Sequence, residues 1–235
     1  MTYKSANSLL IKGVITMNIR LKDPGSAITH LLGIVFAILA APPLLMRAAI
    51  WPDRTHIIAL SIFITSMLML YSASTIYHSV NGSETVNRRL RKMDHIMIFY
   101  LIAGSYTPIC LIVLKGTFGL VLLSVVWGIA ILGTAIKALW ITCPKWFSSV
   151  LYIAMGWVVV IAFGPIFHTM PAMGIFWLVA GGVLYTVGGV IYAVVAKSFN
   201  DRHPNFGTHE IFHLFVLAGS ICHFIMMYSY VALMP

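Results

Sequence analysis

The stretch HEIFH at residues 209–213 sets two histidines four positions apart around a glutamate. On a helix, that spacing puts His209 and His213 on one face. HExxH is also the signature by which helical zinc metalloproteases hold their metal. An intramembrane protease of the site-2 type needs a further ligand, commonly an acid later in the chain. No Asp or Glu follows Glu210. Of the earlier acids, Asp23, Asp53, Glu84, Asp94 and Asp201, only Asp94 falls where it would meet the pair. Glu210 lies about 100° around the helix from His209 and reads as an interfacial acid rather than a ligand or base.

A second pair has the same spacing: Ser74 and His78, in SASTIYH. With His78, the histidines number three, and three neutral imidazoles are a common protein ligand set for catalytic zinc. Asp94 could orient a ligand or hold a water. A lone histidine pair at this spacing is commonly incidental. Its convergence with His78 and Asp94 at one depth argues for a metal site, because ionisable groups in membrane helices need partners.

That depth follows from the elements carrying these residues. The chain is 60% hydrophobic and 9% charged, with a mean hydropathy of +0.94. Soluble domains carry about 25% charged residues, so this is an all-α integral membrane protein. Seven apolar runs approach the roughly 20 residues a spanning helix needs: 27–46, 57–77, 96–114, 118–136, 149–167, 175–196 and 211–232. The alternation of an outer-membrane barrel is absent. Short polar breaks leave one membrane domain, 23–235, behind a tail, 1–22.

Twelve of the fifteen Lys and Arg residues fall on one side of this topology, in the tail, around RRLRK at 88–92 and at the fourth and sixth loops. Only Arg47, Arg54 and Lys115 fall on the other. Positive charge marks the cytoplasmic side, so the N-terminus is expected inside and the C-terminus outside; the expected location is the plasma membrane, although the charge count itself identifies only a cytoplasm-facing bilayer. RRLRK then faces anionic lipid headgroups rather than nucleic acid. His30, His78, Asp94, His95, His209 and His213 all gather at cytoplasmic helix ends, whereas His56 and His168 fall at the outer face.

The remaining features read more plainly. SLLIKGVI, interrupted by Lys12, is a poor signal peptide, and Met17 is an alternative start. Cys110, Cys143 and Cys222 suggest neither a disulfide framework nor a metal spacing. Asp23 and Ser26 suit caps for the first helix, with Pro24 in its first turn. Pro108 is expected to kink the third helix. GGVLYTVGG at 181–189 is a small-residue packing face, and His223 a packed or hydrogen-bonded residue. His30 is open between supporting a ligand and serving the helix start.

THLLG at 29–33, SASTIYH at 72–78, KMDHIMIFYLIAGSYTP at 92–108 and HEIFHLFVLAGSICHF at 209–224 together resemble the hemolysin III family. That family is the bacterial branch of the progestin and adiponectin receptor superfamily. The resemblance implies a Zn2+ ion held by His78, His209 and His213, with supporting roles for Ser74 and Asp94. More distantly, the arrangement is similar to alkaline ceramidases, which hydrolyse a lipid amide. One departure lies in KDPGSAITH, where Ser26 stands in place of the usual asparagine.

Four functions compete. The first is an intramembrane zinc hydrolase of a lipid amide or ester, with Asp94 taking a proton from water and Ser74 supporting the developing oxyanion. The second is a non-enzymatic zinc protein in lipid sensing or membrane homeostasis. The third is a pore-forming cytolysin, as the family name suggests, and the fourth is an intramembrane metalloprotease. Membrane lipids are the expected substrate or ligand in the first two.

Overall fold

In the computed structural model, which describes residues 21–194, 197–203 and 206–235, each apolar run forms a helix able to cross a bilayer. These are α1 (Pro24–Ala48), α2 (Thr55–Ser79), α3 (Glu84–Leu114), α4 (Gly116–Leu139), α5 (Lys145–Thr169), α6 (Ala172–Val194) and α7 (Thr208–Leu233). A short helix, Lys197–Arg202, precedes α7, and no strand occurs among the described residues. Residues 1–20 of the expected tail, including Met17, lie outside the described residues.

Helix boundaries depart from the apolar runs where polar residues continue the helix. The RRLRK stretch, expected in a loop, lies within α3. Ser83 caps that helix by accepting the Val86 N–H at 3.4 Å, and Glu84 complements the N-terminal dipole. Hydropathy registers only the apolar part of such a helix. Arg88 and Arg89 remain exposed. At Pro108, which lacks a backbone N–H, the α-helical pattern gives way to a π-helical stretch, Ile109–Leu114. α5 has a comparable irregularity, a 3-10 stretch at Val158–Ala162.

Packing turns this order into a bundle. α2 lies between α1 and α3, while α6 packs along α7 and α7 along α1. GGVLYTVGG supplies the α6 face, where a side chain on Gly188 would come within 2.7 Å of Phe215, so only glycine permits this approach. Leu39, Met46, Ile131 and Leu132 are exposed on the outside, a surface suited to lipid rather than water.

Lys137, one of the cations expected at the fourth loop, is turned into the protein. It is fully buried, donating to Ser148 Oγ and lying 3.1 Å from Cys143 Sγ. All three cysteines are free and buried.

α1 and α7 begin at the same end of the bundle at which α2 finishes. The Asp23 N–H donates to the His78 carbonyl at 2.9 Å, tying the start of α1 to the end of α2. At the opposite end, His56 Nε2 is 3.0 Å from the Met234 carbonyl, and His168 is exposed.

Candidate metal centre

Four-residue spacing on α7 presents His209 and His213 together, and the last turn of α2 brings His78 to them across 131 positions of sequence. One ring nitrogen from each of the three histidines lies within 4.8 Å of the others. His78 Nε2 and His209 Nε2 are 3.1 Å apart. His78 and His213 are almost fully buried.

Two of the three rings are oriented by their other nitrogen. His78 Nδ1 lies 3.0 Å from Asp23 Oδ2. A carboxylate only accepts, so Nδ1 carries the proton and the Nε2 lone pair faces the cluster. His213 Nδ1 is 3.2 Å from Thr29 Oγ1 and 3.3 Å from the Ser26 carbonyl. Thr29 donates its own proton to the Gly25 and Ser26 carbonyls, at 3.0 and 2.9 Å. His213 Nδ1 must therefore be the donor there too, which leaves its Nε2 free as a ligand.

These residues fit a zinc ion. Zn–N bonds of about 2.0–2.1 Å in a tetrahedron separate neighbouring nitrogens by roughly 3.3–3.4 Å, close to the His78–His209 spacing. Donors to a carboxylate or carbonyl behind each ligand are the usual support for metal-binding histidines.

Asp23 was expected to cap α1, yet its side chain makes no capping bond; it serves His78 instead. Ser26 is likewise not a cap: its hydroxyl donates to Glu210 Oε1, joining α1 to α7. Glu210 Oε2 accepts the Gly207 N–H at 2.8 Å. Both Glu210 oxygens are thus engaged in holding the helix start, so this acid is more than the interfacial residue expected, though it stands outside the histidine group. Thr29 carried no role in the sequence reading. One signal was present: Ser26, Thr29, His30 and Gly33 follow the helical period and form one buried stripe of α1.

His30 stacks on His213, with ring centroids 3.6 Å apart and planes 11° off parallel. Neither of its ring nitrogens has a partner among the described residues. Ser74 is fully buried one turn before His78, and its hydroxyl also lacks a partner among them. Asp94 is buried on α3 and, with His209 and His213, lines a mainly apolar cavity. The cavity continues between α3, α5, α6 and α7 to Ile109, Phe163 and Met226. From Asp94 to Ile109 is about 22 Å of helix.

Removing the Asp23 carboxylate tests its assignment. Asp23→Ala is expected to weaken zinc binding about 10–100-fold, measured by chelator competition, while leaving the three histidines in place. Unchanged affinity would return Asp23 to the helix start alone.

The chain also has known relatives. Residues 19–224 match the family described as Haemolysin-III related. Hemolysin-3 of Bacillus cereus is 35% identical over 210 residues, covering 89% of this chain and 92% of that protein. The Hemolysin-3 homolog of Bacillus subtilis (strain 168) is 36% identical over 214 residues, covering 91% and 96%. An adiponectin receptor protein of Drosophila melanogaster is 26% identical over 226 residues, covering 86% of this chain and 49% of the receptor.

Proposed function

This chain belongs to the Haemolysin-III related family of multi-pass membrane proteins, and we propose that it is a zinc-dependent hydrolase cleaving a lipid amide or ester within the membrane. The observation that carries the reading is the convergence of His78, His209 and His213, two of which, His209 and His213, line an apolar cavity together with Asp94.

The three imidazoles hold the metal, and Asp23, Thr29 and the Ser26 carbonyl keep His78 and His213 in the ligating tautomer. When bound, zinc supplies Lewis acidity, polarising a carbonyl oxygen and lowering the pKa of water toward about 7. The cavity takes the acyl chain, places its carbonyl carbon at the histidine end and excludes bulk water there. Asp94 accepts a proton from the attacking water and returns it to the leaving amine or alcohol. Ser74, whose hydroxyl is buried without a partner, donates to the carbonyl oxygen as negative charge develops on it. The excess of Lys and Arg at the histidine end supports a site that opens toward the cytoplasmic side of the membrane.

Zinc-loaded protein in lipid nanodiscs, assayed on a panel of lipid amides and esters, is expected to release fatty acid, and His78→Ala to release none above background. Equal turnover by the two would sink the proposal. Glu210→Gln is expected to keep both zinc and turnover, whereas a metalloprotease using Glu210 as its base would lose activity.

A further inference from the structure

Beyond the histidine cluster, the cavity meets polar atoms that the proposed hydrolysis does not use. His223 stands ten positions past His213, about 15 Å further along α7. It is 8% exposed and lines the cavity. Its Nε2 lies 3.3 Å from the Leu178 carbonyl. A carbonyl only accepts, so Nε2 bears the proton and Nδ1 bears a lone pair. That Nδ1 is buried and has no partner among the described residues.

Tyr185 also lines the cavity, edge-on to His223 with ring centroids 5.3 Å apart. Its hydroxyl belongs to a short chain: Tyr71 donates to Ser220 Oγ at 2.6 Å, and Ser220 Oγ is 2.9 Å from the Tyr185 hydroxyl. Three hydroxyl protons serve these two bonds. Either hydroxyl can donate in the second bond; when Tyr71 donates to Ser220 and Ser220 to Tyr185, the unspent proton is the one on Tyr185, at the cavity wall. Both rings are seated by glycines. A side chain on Gly181 would collide with the His223 ring, and one on Gly219 would come within 2.7 Å of Tyr185 Cε1. The acceptor and the donor are therefore held in place before any ligand arrives.

We propose that His223 and Tyr185 form a second, uncharged subsite that selects lipid chains carrying a hydroxyl group part-way along their length. Such a hydroxyl donates to His223 Nδ1 and accepts from Tyr185, completing both groups at once. An unsubstituted methylene chain leaves both unpaired, and an unpaired buried polar group is costly. The proposal rests on the reading that this cavity takes a lipid chain, and its test separates the two.

Dissociation constants of stearate and of stearate hydroxylated at mid-chain, measured by native mass spectrometry on zinc-loaded protein, supply that test. Wild type is expected to bind the hydroxylated chain about 10-fold more tightly, a difference of about 1.4 kcal/mol. Tyr185→Phe, which removes only the hydroxyl and keeps the ring seated on Gly219, should reduce the preference while binding stearate at least as tightly as wild type. His223→Leu should abolish it. Moving the hydroxyl next to the carboxylate should also abolish it, since it then lies at the wrong depth. Equal, saturable binding of both chains by wild type would overturn the subsite, with water satisfying these atoms, and leave the lipid cavity standing. Saturable binding of neither would overturn both.

Discussion

Alanine at any one of His78, His209 or His213 is expected to strip zinc from the protein, from about one ion per chain to background, as read by elemental analysis after purification without chelator. The three rings act as a unit, because one nitrogen from each lies within 4.8 Å of the others and their side chains come from two helices. Loss of a supporting group alone typically costs 10–100-fold in metal affinity, so loss of a ligand should weaken binding at least about 100-fold. A second readout follows from mass action. A ligand at about 100 times its Kd stabilises the folded state by about 2.7 kcal/mol, so zinc should raise the melting temperature of wild type in detergent and leave the three variants unmoved. His223→Ala is the informative control: it removes an imidazole from the same helix but from outside the cluster, and should retain zinc.

Asp94→Asn is expected to keep the ion and lose the chemistry. Asp94 is 6% exposed and forms no salt bridge among the described residues. A buried carboxylate without a paired cation is expensive at membrane depth, and here it faces the same cavity as His209 and His213. Asparagine keeps the shape and removes the proton acceptor. General-base catalysis contributes about 10²–10⁴-fold, so kcat on the best lipid substrate should fall by that factor with zinc content unchanged. Zinc loss in Asp94→Asn would mean that this side chain supports the ligands instead. Ser74→Ala should have a smaller effect on kcat, again with zinc retained.

The helices and the histidine cluster were legible for different reasons. The seven spans follow from composition, since only long apolar runs tolerate a bilayer. The grouping of His78, His209 and His213 followed from a repeated four-residue spacing together with topology, which brings the end of α2 and the start of α7 to one depth. Hydropathy missed the first turns of α3, where Glu84 and the basic cluster continue the helix into the polar zone under a Ser83 cap. It also placed Lys137 among loop cations, although its ammonium group is taken up by Ser148 and Cys143.

The partners behind the ligands were harder to read. Asp23 before Pro24 has every local mark of a helix start, and only the approach of α1 to α2, 55 positions away, converts it into the partner of His78. Thr29 likewise acquires its role from α7 at a separation of 184. Such long-range pairs leave no periodic trace on either strand of the contact. Glu210 shows the same limit: its helix position kept it out of the ligand set, but nothing local revealed its bond to Ser26.

The central claim is that these three imidazoles hold zinc. X-ray absorption at the zinc edge of the purified wild-type protein tests it most directly. The expected spectrum has three imidazole nitrogens at about 2.0–2.1 Å and no sulfur near 2.3 Å. A spectrum dominated by sulfur, or one unchanged when His78, His209 and His213 are all replaced, would contradict it.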